Sequence, residues 1–186
     1  SSISGNTQLD GSTDEGKRFI FNYFTSGGMG SRPSKDGLST TCFPGNVSNT
    51  PVEIIENASP LMITRVAFVT DSGGAGKYRG GLGQVVATKV RSSKPATLSC
   101  MYDRIKFPPR GFFKGRNGLP SAVRIVRQKG EVSPHPKKKF VLEPGDEIIV
   151  RYAGGGGFYS PLERDPEKVR EDVINGYVSP ERAEED

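Results

Sequence analysis

Glycine and proline interrupt this chain so often that a long helix has no place to form: 24 Gly and 14 Pro are spread through 186 residues. Glycine gives up backbone order and proline lacks a donor, so each breaks a helix or a central strand. Between these breaks lie short runs rich in β-branched and aromatic residues, the pattern of a mainly β domain. The runs are Arg18–Phe24, Val52–Glu56, Met62–Thr70, Gln84–Arg91, Thr97–Asp103, Ala122–Gln128, Lys139–Leu142 and Glu147–Tyr152. Alternation is clearest in Val123-Arg124-Ile125-Val126-Arg127 and Ile63-Thr64-Arg65-Val66-Ala67-Phe68-Val69, which predicts half-buried strands. The expected fold is therefore a β sandwich or barrel with long glycine-rich loops over residues 17–160. Residues 1–16, polar and without apolar periodicity, read as a flexible lead-in.

The last 26 residues change character. Asp165-Pro166-Glu167 places a capping side chain, a proline at the first helical position and an acid in the first turn. Val169 and Val173 share a face, Asn175-Gly176 supplies a stop, and Ser179-Pro180-Glu181 starts a second helix that ends at Asp186. A short helical tail over 161–186 is expected, clipped from something longer because so short a final helix is marginal alone.

Charge is unevenly placed. The net charge of +5 divides into −2 over residues 1–60, +12 over 61–160 and −5 over 161–186. A basic middle suits phosphates, nucleic acid or an acidic partner, or simply the outward positions of solvated strands. Two cysteines far apart, Cys42 and Cys100, argue against a disulfide scaffold and for a reducing, cytoplasmic setting. A single histidine, His135, excludes a site of several histidines. No apolar run reaches the roughly 18 residues of a membrane span, so no membrane partner is expected.

Tests for nucleotide motifs fail on spacing. In Asp71-Ser72-Gly73-Gly74-Ala75-Gly76-Lys77-Tyr78, a P-loop needs glycine in place of Asp71 and serine or threonine in place of Tyr78. Neither Gly74-Ala75-Gly76 nor Gly154–Gly157 completes a dinucleotide fingerprint. No cofactor or metal is expected on this chain alone. His135 lies between two prolines and beside Lys137-Lys138-Lys139, as a loop residue would. Cys100 reads as a buried small hydrophobe and Cys42 as the better reactive thiol.

The densest set of polar specificity groups runs from Gly27-Gly28-Met29-Gly30-Ser31-Arg32-Pro33-Ser34-Lys35-Asp36-Gly37 through Asn46, Asn49 and Glu53. Gly27, Gly28, Arg32, Asp36, Asn49 and Glu53 are the candidates for loops that approach a substrate or an upstream domain. Arg32 can clamp an acyl phosphate or carboxylate bidentately, and Asp36 or Glu53 can orient a water or Arg32 itself. The same side chains can equally tie a long loop to itself. Gly154–Gly157 fits close backbone packing better than ligand contact.

These segments, with Phe43-Pro44, Asn49-Thr50-Pro51-Val52-Glu53, Asp71–Gly81, Asp103-Arg104, Phe107-Pro108-Pro109, Leu142–Asp146, Gly154–Phe158 and Pro161–Pro166, occur in one order that resembles the C-terminal part of the hydantoinase B/oxoprolinase family. The resemblance implies a component of an ATP-dependent hydrolase that opens cyclic amides such as hydantoins, 5-oxoproline or lactams, or of the related ketone carboxylases. It also implies an A-type partner component that binds ATP and phosphorylates the substrate carbonyl. Family B components are several times longer than this chain, and the region associated with their metal site lies upstream of what is present here. ATP and a divalent metal are thus implied for the complete complex, with the rest of the B component as a further partner, and this chain alone is expected to be inactive. The resemblance leaves the catalytic residues unassigned. The alternatives from other classes are a basic β domain that binds single-stranded nucleic acid through Tyr102, Phe112 and Phe113, and a scaffold that docks an ATP-binding partner.

Overall fold

A computed structural model describes residues 5–42, 45 and 47–185. Phe43, Pro44 and Asn46, along with residues 1–4 and Asp186, lie outside the described residues.

Two antiparallel sheets face each other. The first has the order β2-β1-β5-β8, built from β1 (Gly5–Ser12), β2 (Arg18–Thr25), β5 (Ala96–Met101) and β8 (Lys139–Leu142). The second has the order β3-β4-β9-β6-β7, from β3 (Leu61–Phe68), β4 (Gln84–Val90), β9 (Glu147–Arg151), β6 (Ala122–Arg127) and β7 (Gly130–Val132). Alternate residues of each strand point inward, so Leu9 and Leu98 of one sheet share a core with Val86, Ile125, Ile148 and Val150 of the other. Four hydroxyls inside that core are paired: those of Tyr23 and Thr88 meet at 2.9 Å, as do those of Thr7 and Tyr102. The mainly β reading of the sequence is what the structure has.

Two expectations need correction. Residues 5–12 of the expected lead-in are strand β1, hydrogen-bonded to β2 on one side and β5 on the other. Its inward positions are Gly5, Thr7, Leu9 and Gly11, so apolar alternation is nearly absent from the sequence. The glycines make room for aromatic rings instead, because a Cβ at Gly5 would lie 2.2 Å from a ring carbon of Tyr152. The run Val52–Glu56 is not a strand but the start of helix α1 (Val52–Ala58), which packs on β3. Pro51 holds φ at −54° just before it, Glu53 sits in its first turn, and only Ile55 is buried. Those helix-start signals outweigh the β-branched composition.

The tail follows the sequence closely. Asp165 accepts a hydrogen bond from the Glu167 amide at the start of α2 (Pro166–Ile174), and Gly176 turns the chain at φ 70° before α3 (Pro180–Glu185).

Between the sheets' ends and this tail, the glycine loops form a junction of extended backbones. Gly155 lies at its centre, donating to the Gly81 carbonyl and accepting from Gly74, both at 2.8 Å. A Cβ there would fall 2.0 Å from the Met29 carbonyl oxygen. The Gly154–Gly157 run thus serves close backbone packing.

Candidate functional site

The first loop is held by this junction. Gly28 donates to the Ala153 carbonyl at 2.8 Å, and a Cβ on it would meet the Gly81 carbonyl oxygen at 1.9 Å. Gly27, also buried, accepts from the Thr41 amide at 3.0 Å. Both glycines therefore act on neighbouring backbone. Beyond them Arg32-Pro33-Ser34-Lys35 makes a tight turn closed by an Arg32 to Lys35 backbone hydrogen bond of 2.9 Å, with proline at its second position. The turn lifts Arg32 into solvent, where its guanidinium donates to the Asp36 carbonyl at 2.8 Å.

The Asp36 carboxylate points elsewhere. It receives both terminal nitrogens of Arg164, at 2.9 and 3.0 Å, and the Arg79 amide at 2.7 Å. Arg164 continues to Asp172 at 2.7 Å, and Asp172 to Arg79 Nε at 3.0 Å. Burial by itself pushes the Asp36 pKa up, but the Arg164 hydrogen bonds and charge, then the Arg79 amide, outweigh it and hold the carboxyl below its ordinary value. A carboxylate so engaged is a poor proton acceptor. Its place is to pin the loop to α2.

Asn49 and Glu53 belong to a different region. Asn49 lines a hollow with Thr25, Ile55 and Ile63, and Glu53 is exposed on the first turn of α1. The six candidates thus separate into a buried glycine pair, an ion network, an exposed arginine and an α1 group.

What does gather around Arg32 is a hollow with Met29, Leu38, Arg110, Phe112 and Phe158. Arg110 stands in the Phe107-Pro108-Pro109-Arg110-Gly111 loop, is exposed, and has no ion-pair or hydrogen-bond partner among the described residues. Phe112 and Phe158 are joined by a β-bridge, and the Phe158 ring packs on Phe113 with centroids 5.1 Å apart. Phe113, Lys114 and Tyr159 beside it have positive φ, at 49°, 72° and 61°. Such backbone is costly for side-chain-bearing residues and is held only by the surrounding packing. Two arginines and two phenylalanines lining one hollow suit an anionic group carried on an apolar body. The Arg110 loop is visible in the sequence as a turn, but nothing there gives its arginine a role, since only the fold brings it to Arg32.

The remaining sequence candidates lie apart. His135 is exposed, and its Nδ1 accepts from the Lys137 amide at 3.2 Å. Tyr102 is 2% exposed and so cannot stack on a base, although Phe112 and Phe113 are exposed. No three His, Cys, Asp or Glu side chains come together as a metal site among the described residues. No helix is long and apolar enough to cross a membrane among the described residues. Cys100 is buried, which pushes its thiol up to about 11, whereas Cys42 is only half-buried. A thiol reagent is therefore expected to modify Cys42 in the native chain and Cys100 only after unfolding. Equal rates at both would contradict this.

Residues 2–161 match the family described as Hydantoinase B/oxoprolinase. The chain belongs to that family. An uncharacterized protein of Methanocaldococcus jannaschii is 40% identical over 131 residues, 70% of this chain and 23% of that protein. The B component of a putative D-/L-hydantoinase from a Pseudomonas species is 30% identical over 169 residues, 89% of this chain and 28% of its own length. In fold, the crystal structure of the ATP-dependent caprolactamase from Pseudomonas jessenii superposes with a TM-score of 0.80 at 23% identity, over 98% of this chain and 34% of that one. This hydantoinase B-type segment thus spans only about a quarter to a third of these relatives.

Proposed function

We propose that this chain is the glycine-looped β portion of an ATP-dependent enzyme that opens cyclic amides, and that Arg32 and Arg110 hold the substrate's phosphorylated form. The observation that carries the reading is that two exposed arginines, Arg32 and Arg110, line one hollow with Phe112 and Phe158 in a member of this family. An amide carbonyl is a poor electrophile. Transfer of a phosphoryl group to its oxygen by an ATP-binding A-type partner makes the carbon open to water. Water then adds, the ring C–N bond breaks with a proton passing to nitrogen, and the phosphoryl group later leaves as inorganic phosphate on hydrolysis. The arginines would offset charge on that phosphoryl group while the rings exclude water from the ring carbons.

ATP and a divalent metal belong to the complete complex in this reading, in a cytosolic setting, with the rest of the B component needed for turnover. A ketone carboxylase would ask the same hollow to hold an enol phosphate.

The test is Arg32→Ala and Arg110→Ala in the complete complex. Each is expected to lower kcat/KM by about 10- to 100-fold, the effect of losing one charge-assisted contact of about 1.5–3 kcal/mol. Unchanged kinetics in both variants would remove the assignment. A salt-dependent gel shift with oligonucleotides addresses the nucleic-acid alternative, for which binding at low salt is not expected.

A further inference from the structure

The outer face of the second sheet carries a group of arginines remote from the Arg32 hollow. Register places Arg65, Ala87, Ile149 and Arg124 side by side across β3, β4, β9 and β6. In the next row, Val85 and Ala122 flank Arg151. The pairing of β3 with β4 slips between Ile63 and Arg65. Without that bulge Arg65 would share the inward parity of Leu61 and Ile63; with it, the side chain joins the outer face. Arg65 and Arg124 then stand three strand spacings apart, about 14 Å, with Arg151 between them and the apolar side chains of Val85, Ala122 and Ile149 as the floor. Together they line one hollow.

Little neutralises this charge. The Arg65 side chain has no ion-pair or hydrogen-bond partner among the described residues. Arg124 meets Glu131 only at 3.4 Å, with both side chains more than half exposed. Glu147, on the same face, accepts from the Thr64 hydroxyl and lies opposite Lys89. Arg151 Nε is buried with no hydrogen-bond partner. A buried donor without an acceptor is destabilising, and three guanidiniums around an apolar floor favour an oxyanion with several acceptor atoms.

We infer that this face binds a phosphate-type oxyanion of two negative charges, free or carried on an organic body, at Arg65, Arg124 and Arg151. The site is separate from the Arg32 hollow and stands whether or not that hollow holds a phosphorylated substrate.

NMR amide shifts of the full chain, titrated with inorganic phosphate at low ionic strength, test it. Saturable shifts are expected at Ala87, Ile149 and Arg151. Arg151→Gln and Arg65→Gln should each weaken the phosphate Kd fivefold or more, while Arg18→Gln on β2 should leave it unchanged. Two surface variants guard against a folding defect in one. A parallel titration with a nucleoside monophosphate separates the sources: tighter binding than phosphate means that the ligand's body covers the floor, and equal binding means that the phosphate group alone is recognised. Shifts spread evenly over exposed cations, absence of saturation, or wild-type affinity in both glutamine variants would overturn the inference.

Discussion

Gly155→Ala is expected to cost the fold much of its stability. The added methyl would have to share space with the Met29 carbonyl oxygen, 2.0 Å from where its carbon falls. Real carbon atoms do not approach an oxygen so closely, and the obstacle is backbone fixed by hydrogen bonds on both sides rather than a side chain that can rotate away. Relief requires separating strands of the glycine junction, at a cost on the order of 4 kcal/mol or more. That is much of the roughly 5–15 kcal/mol by which a domain is stable. Gly145→Ala is the matched control. It sits at φ 86° with nothing within 4 Å of a Cβ, so only backbone strain of about 1 kcal/mol is expected. Thermal unfolding of both variants checks the contrast. A Gly155→Ala protein with near-native melting would mean that the glycine loops are not packed as described.

The second large effect lies in the ion network. Asp172→Asn should destabilise the chain by about 3–5 kcal/mol, because it removes the one carboxylate paired with Arg79 and leaves Arg164 with Asp36 alone, in a site where both arginine side chains are only 8% exposed. Loss of α2 docking should accompany it, since Asp172 is that helix's buried residue. Limited proteolysis near Pro161 and chemical denaturation report the two consequences. Intact wild-type stability in this variant would show that the network contributes nothing net.

Asp36 adds a pH dependence to the same network. Its folded pKa is held below the unfolded value near 3.9. The stability it contributes is therefore fully present above that value and is lost as pH falls through the lower, folded one. Denaturation curves of wild type and Asp36→Asn should stay a constant distance apart from about pH 7 to 5 and converge below about pH 4. Convergence at neutral pH would contradict the assignment.

These effects show why some parts of the molecule could be read from the chain and others not. Strands such as Ala122–Arg127 carry their own alternation, and the α2 start carries its own cap, so local chemistry suffices for each. β1 has inward glycines and threonine where a strand usually shows its apolar residues, and only the facing rings of Phe19 and Tyr152 explain them. Arg32 is visible as a candidate because its loop is dense in polar groups. Arg110 is not, being 78 positions away in the chain. Arg164 stands eight positions before Asp172, but nothing local marks Asp36 or Arg79 as members of the same network, because they lie 128 positions from Arg164 and 93 from Asp172 respectively.

The β class, the helical tail and the family are written in the order of the residues, because alternation, capping and ordered motifs are properties of neighbours along the chain. Which side chains meet is settled only on folding. The glycine loops carry no side chain to announce their partners, and only when their backbones cross do Arg32 and Arg110 line one hollow and Arg164 reach Asp36.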